Sequence, residues 1–323
     1  MLPAFLKSRL KLPLIAAPMF LVSGPELVIA ACRAGVIGSF PTANCRTIAE
    51  LDAWLAEIKE ATASSAPFCP NLIVHRSNPR VADDLAAVLR AKPEIVITSV
   101  GSPEPVMKPL KDVGCLVLAD VASVRHAEKA VAAGVDGLVL LTAGAGGQTG
   151  WVNPFAFVRA VRRFWDGIIV MAGGMADGQA VAAAELLGCD LAYMGTKFIA
   201  TRESLAKPAY KEMLVDARLD DVKLTRAFTG LETNMLRPSI EAAGLDPDNL
   251  PERGSIDIAK DINAAERERP EAKRWKDIWS AGHSVSGVAD IPSVAELVAR
   301  TAAEYAAARA RAGVAGSTGA HSA

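Results

Sequence analysis

The sequence predicts an α/β protein built as a (β/α)8 TIM barrel, with a small helical cap inserted after strand eight. Three observations point there. Short β-branched runs alternate with longer helical stretches over residues 1–204, the rhythm of βα units and a parallel sheet. The 323-residue chain is 51% apolar yet only 5% aromatic, so Ala, Val and Leu must supply the core, as buried parallel strands require. Glycines cluster after the sixth, seventh and eighth runs rather than after the first. A doubly wound open sheet, the competing fold, normally carries its glycine-rich nucleotide turn after the first strand. Here that strand ends in "APMF" (17–20), with no GxGxxG.

The runs, in order, are "LIAAPM" (14–19), "VIGSF" (36–40), "FCPNLIV" (68–74), "EIVITSV" (94–100), "CLVLADV" (115–121), "GLVLLTA" (137–143), "IIVMAGG" (168–174) and "LAYMGT" (191–196). Helical patterns separate them, among them 26–35, 47–61 and 179–188, and several end at a glycine such as Gly35 or Gly188, suited to a left-handed C-cap. "NPFAFVRAVRRF" (153–164) opens with Asn153 as N-cap and Pro154 at the first helical position. After residue 204 the rhythm changes. Residues 205–274 read as a mostly helical cap and substrate domain over the barrel mouth, 275–313 as a return to the barrel, and 314–323 as a frayed, flexible tail. The apolar last helix is also a candidate homodimer interface.

Composition excludes several functions. Thirty-five basic and 36 acidic residues leave a formal charge of −1, which gives no nucleic-acid footprint. No run of 18 apolar residues offers a membrane span. The N-terminus "MLPAFLKSRLKLP" lacks the apolar core and cleavage site of a signal peptide, so a cytoplasmic protein is expected. Five dispersed cysteines, none in a CxxC pair, read as reduced thiols, and no metal-ligand spacing occurs.

Barrel enzymes work at the C-terminal ends of their strands and often hold phosphate in the loops after strands seven and eight. "AGG" (172–174) and "GT" (195–196) occupy those places. Glycine lets backbone N–H groups approach phosphate oxygens without Cβ interference, and Thr196 adds a hydroxyl.

"APM" (17–19), "NL" (71–72), "AGAGGQTG" (143–150), "AGGMADG" (172–178) and "MGTKFIATRES" (194–204) resemble, in the same order over about 300 residues, the nitronate monooxygenase family, formerly called 2-nitropropane dioxygenases. The resemblance implies an FMN-binding barrel that oxidises alkyl nitronates with O2, or a relative that reduces quinones or enoyl thioesters using NAD(P)H. It implies that Gly173, Gly174, Gly195 and Thr196 hold the FMN phosphate, with Met175 beside them. Pro18 and Met19 would line the isoalloxazine, Asn71 would bond the flavin or its ribityl chain, and Gly146 and Gly147 would let their loop run against the ring. Asp120, at the end of strand five, would either contact ribityl hydroxyls or cap the following helix.

Two departures bear on mechanism. Family members with nitronate activity read "GGH" where this chain has "GGQ", placing Gln148 at the position of their candidate base, or of the polar group that orients the nitronate. A carboxamide forms hydrogen bonds but accepts no proton. The family's histidine-proline after "ES" is also missing; "ESLAKPAYK" has Lys207 there. His75, after strand three, and His283, in "WSAGHSVSG", are the candidate replacement bases, and an exposed loop position is the alternative for each. Lys197 and Arg202 could screen a phosphate or be merely solvated. Trp151, Trp275 and Trp279 could wall an apolar pocket or fill the cap interface. The function expected is an FMN-dependent nitronate monooxygenase, taking a small-molecule substrate and O2. The alternatives are an NAD(P)H-dependent flavin reductase and an FMN-binding protein without this chemistry.

Overall fold

The structure, a computed structural model, describes residues 2–259 and 277–313. Trp275, the end of the expected cap (260–274) and the tail (314–323) lie outside the described residues.

Eight parallel strands close into a barrel: β1 (Leu14–Ala16), β2 (Ile37–Pro41), β3 (Phe68–Ile73), β4 (Ile95–Ser99), β5 (Leu116–Val121), β6 (Gly137–Leu141), β8 (Ile168–Ala172) and β9 (Leu191–Met194). β9 pairs with β1, Leu14 opposite Ala192, and this seam completes the ring. Each expected run produces its strand. Several runs overshoot at the C-terminal end, because Ala17–Met19 and Gly173–Gly174 leave the sheet to build the mouth.

Alternation along each strand divides two cores. Inside the barrel lie Ile15, Ile37, Cys69, Ile97, Leu118, Val139, Val170 and Leu191. Leu6, from the short helix α1 (Ala4–Lys7), packs into the same cluster. The alternate positions, such as Val117, Ala119, Ala192 and Met194, face the surrounding helices. The five cysteines are free and buried, and burial pushes the Cys32 thiol up to about 12.

The helices are fixed by their ends. α2 (Pro25–Ala34) starts with proline at its first position and stops at Gly35, whose φ of +89° is the left-handed cap expected. α3 (Ile48–Ala61), α6 (Val124–Ala132) and α8 (Gly178–Leu187) begin at Thr47, Ser123 and Asp177, whose side chains accept from backbone N–H groups. Asn153 caps α7 (Pro154–Val161) through the N–H groups of Phe155 and Ala156. α4 (Val81–Ala91), α5 (Glu104–Asp112) and the one-turn α9 (Thr196–Ile199) complete the barrel portion.

The segment expected as a helical cap holds α10 (Pro208–Asp216) and α11 (Arg237–Ala242), with an antiparallel hairpin between them. Its strands, β10 (Val222–Thr225) and β11 (Thr233–Leu236), pair with each other, and β11 pairs with β7 (Gly147–Gln148) from the glycine loop. Four-residue strands are too short to show a period against neighbouring helices. The last helix, α12 (Val294–Arg311), opens with a Ser293–Glu296 capping box and buries Val294, Leu297 and Val298. It lies so close to α8 that a Cβ on Gly178 would stand 2.2 Å from the Thr301 carbonyl oxygen. Much of its apolar face is therefore used within the chain. Among the described residues no helix is long and apolar enough to cross a membrane.

Candidate active site

A cavity of about 200 Å³ opens at the C-terminal mouth of the barrel. Its lining includes Pro18, Met19, Asn71, Asp120, Gly146, Gly147, Gln148, Gly173, Gly174, Met175, Gly195 and Thr196, twelve of the fourteen residues picked out from the sequence. His75 and His283 are not among the lining residues.

Each wall has a local cause. The turn bearing Pro18 and Met19 is braced by Asn44, whose Nδ2 donates to the carbonyls of Met19 and Ser23 while its Oδ1 accepts from Leu21 N–H. Asn71, near the end of β3, exchanges hydrogen bonds with Ser99 on β4 at 3.1–3.2 Å, so the two line the cavity as a pair. Val100, the next residue, has φ +60°. A β-branched side chain in left-handed backbone costs about 1–3 kcal/mol, and such strain concentrates at functional sites.

The glycine turns expected to hold a phosphate lie where β8 and β9 end. Gly173 and Gly174 have φ of +113° and +73°, and a Cβ on Gly174 would meet no atom within 4 Å. Thr196 is buried, and its Oγ1 accepts from Gly282 N–H at 2.9 Å, leaving the hydroxyl hydrogen for another acceptor. Lys197 instead turns to the Gly287 carbonyl, and Arg202 pairs with Glu296 at 2.7 Å. The cradle therefore rests on backbone N–H groups and a hydroxyl.

The glycine loop after β6 is held from three sides. Thr149 N–H donates to the Glu232 carbonyl, Thr149 Oγ1 donates to the Thr142 carbonyl, and Asn234 Nδ2 donates to the Ala145 carbonyl at 2.8 Å. Gln148 pairs through its backbone with Thr233, so a strand fixes its position. Its half-buried carboxamide makes no hydrogen bond within the described residues. Gly146 lines the cavity, but its missing Cβ answers to protein: that atom would stand 2.7 Å from Gly282 N. Closeness to the returning chain requires glycine there.

That returning chain, Trp279 to Ser284, forms the outer wall. Trp279 stacks on Tyr210 with ring centres 5.0 Å apart and planes 12° from parallel. Tyr210 Oη donates to the Ser280 carbonyl, and burial pushes the phenol up to about 12. His283 is exposed and lays its imidazole against the outside of Gly144. His75 Nδ1 accepts from Ser77 N–H at 3.2 Å, within its own loop.

At the cavity floor Asp120 Oδ1 and Tyr193 Oη are enclosed without a hydrogen-bond partner among the described residues. Ser123 caps α6, so Asp120 has no capping role. Burial drives its carboxyl up to about 8, and the Tyr193 phenol well above its usual range. Tyr193 escaped sequence reasoning. Its signal was the alternation in "LAYM", which turns it inward as "LVLADV" turns Asp120. Ser99, Val100 and Tyr210 gave no local signal.

Orphaned polar atoms, an unfilled glycine cradle and a mouth of Pro18, Met19 and Trp279 suit a flavin, with a polar chain, a phosphate and an apolar ring. Comparisons agree. A nitronate monooxygenase family model matches residues 80–304. The nitronate monooxygenase of Paraburkholderia phytofirmans is 29% identical, covering 89% of this chain and 90% of that protein. The (3aS,4S,5R,7aS)-5-hydroxy-7a-methyl-1-oxo-octahydro-1H-indene-4-carboxyl-CoA dehydrogenase of Rhodococcus jostii is 26% identical, over 86% of this chain and 76% of that one. Among solved structures, FabK from Thermotoga maritima shares the fold at a TM-score of 0.79 and 24% identity, covering 97% of this chain and 99% of its own. Nitroalkane oxidase from Streptomyces ansochromogenes has a TM-score of 0.79 at 25% identity, with coverages of 95% and 99%. The family model spans well over half of the residues, and the cavity is built from the motifs that suggested it; the chain belongs to the nitronate monooxygenase family of flavin-dependent oxidoreductases.

Proposed function

We propose that the chain is an FMN-dependent nitronate monooxygenase that oxidises alkyl nitronates with O2 to carbonyl compounds and nitrite. The observation that carries this reading is a single cavity joining an open glycine cradle, an unpartnered polar floor and the free carboxamide of Gln148. Bound FMN would supply the electron-accepting chemistry between substrate and O2.

The chain's own residues have separable tasks. Backbone N–H groups at 173–175 and 195–196, with the Thr196 hydroxyl, would bind the phosphate. Pro18 and Met19 would border the ring, and Asn71 with Ser99 would offer it a fixed donor and acceptor. Gln148 would donate its amide hydrogens to a nitronate oxygen and so orient the substrate. A carboxamide takes up no proton near neutral pH, so the substrate would enter already as the anion. The Tyr210–Trp279 stack would exclude water on the outer side, and residues 205–259, through α10 and the hairpin, would shape the substrate space.

Gln148 also favours a second reading. Hydride transfer from NAD(P)H to a flavin needs orientation more than a base, and quinones or enoyl thioesters would then accept the electrons. The relative named for a carboxyl-CoA substrate fits that reading.

Anaerobic titration of the flavin-loaded protein separates the two. Loss of flavin absorbance with propyl nitronate, but not with NADH or NADPH, is the expected result; bleaching by a nicotinamide with nitronate inert would overturn it. Gln148→His should raise turnover of neutral nitroalkanes by at least about tenfold, because imidazole restores a base at a position facing the cavity. Unchanged turnover would mean that the side chain faces away from substrate.

A further inference from the structure

We propose that Asp120 and Tyr193 act as one hydrogen-bonding subsite at the cavity floor, in which Asp120 serves as a carboxylic acid and donates its hydrogen to a neutral oxygen or nitrogen acceptor of the bound flavin. The inference rests on the flavin reading above and extends it. Both residues occupy inward positions, Asp120 on β5 and Tyr193 on β9, and both line the cavity. Asp120 Oδ1 and Tyr193 Oη are fully enclosed and lack partners, and Tyr193 as a whole is 9% exposed. Two strands thus bring polar atoms with no partner among the described residues to the wall of one cavity, where a bound molecule could supply what the protein does not.

The protonation state follows from the surroundings. Among the described residues lining the cavity there is no lysine, arginine or histidine to balance a carboxylate. Cys69 on β3 and Tyr193 on β9 are the ionisable groups coupled to Asp120, and burial keeps both neutral. β4 and β6, which pair with β5, present Ser99 and Leu141 to the cavity. With no compensating charge, burial alone raises Asp120 to about 8. A neutral acid has one donor and one acceptor, and the tyrosine hydroxyl adds one of each. That set matches a carbonyl, a hydroxyl or a ring nitrogen. The ionised form would lose the donor and place a negative charge in the same cavity as an anionic phosphate.

The sign is then fixed. Flavin affinity is full well below about pH 8 and falls as Asp120 ionises. Binding to the apoprotein can be followed by quenching of flavin fluorescence between about pH 6.5 and 9.5, with FMN and with riboflavin. For wild type, Kd should rise above pH 8 by up to about tenfold per pH unit, for both ligands alike. The riboflavin arm, which lacks the phosphate, assigns the effect to the floor rather than the cradle. Asp120→Asn should bind with a flat pH profile. Tyr193→Phe should weaken binding severalfold while keeping the wild-type slope. A flat wild-type profile, or a slope that survives Asp120→Asn, would overturn the proposal while leaving the flavin reading intact. Uptake of neither flavin at any pH would remove both. The wild-type profile alone decides the matter should Asp120→Asn fail to fold.

Discussion

The glycines after β6 and those after β8 look alike in sequence, yet they answer to different neighbours. A Cβ on Gly144 would stand 2.6 Å from the His283 imidazole, and one on Gly146 would stand 2.7 Å from Gly282 N. The fit is reciprocal, since a Cβ on Gly282 would come within 2.6 Å of the Gly144 carbonyl oxygen. On the other side of the mouth, Gly174 has nothing within 4 Å of its missing side chain. The first cluster is where two stretches of backbone touch. The second is mixed: a Cβ on Gly173 would stand 2.4 Å from Thr142 Oγ1, while Gly174 beside it faces open space. Glycine density marks close approach in both cases, and only the tertiary structure says what approaches.

That contrast can be broken at its strongest point first. Gly174→Asp should lower flavin retention by about 100-fold or more, through a side chain and a like charge placed in the cradle. The melting temperature should fall only modestly, because no protein atom is displaced and the cost is the left-handed backbone strain of a non-glycine residue at φ +73°, about 1 kcal/mol. A variant purified with full flavin would show that the phosphate lies elsewhere. Gly146→Ala should do the reverse. Forcing a methyl group against Gly282 should cost about 1–3 kcal/mol of stability, read as a lower urea midpoint, with flavin affinity of the folded protein kept within a few fold. Equal stability to wild type would mean that the two loops part easily. The smallest effect is expected from Lys197→Met. Its ammonium is committed to the Gly287 carbonyl, so FMN affinity should move less than about twofold and its salt dependence should be unchanged. A tenfold loss would place that cation near the phosphate in solution.

The sequence revealed the barrel because its strands and helices differ in period, and eight repeats of one rhythm reinforce each other. It revealed the cradle because phosphate loops in such barrels occupy known places in that rhythm. What it concealed was long-range. Nothing local in "WSAGHSVSG" says that Gly282 wedges between Gly144 and Gly146, or that His283 ends up outside the cavity wall. Lys197 follows the cradle by one residue, yet its side chain runs to a carbonyl 90 residues further along. The hairpin of β10 and β11 is recognisable only through its partner β7, whose two residues, Gly147 and Gln148, read as loop. Val100 carries its strain in backbone geometry, which residue identity does not announce.

The seam between β1 and β9 has a consequence for how the molecule comes into being. Leu14 must wait for Ala192, so during synthesis the growing sheet carries two raw edges until about three-fifths of the chain has left the ribosome. Tyr193 sits on the closing strand itself and Asp120 on the far side of the ring. Until the seam forms, nothing holds these two halves of the floor facing each other across a closed barrel. Uptake of flavin during refolding should lag behind the gain of helical signal and keep time with closure of the ring, which makes the cofactor a clock for the last step of assembly.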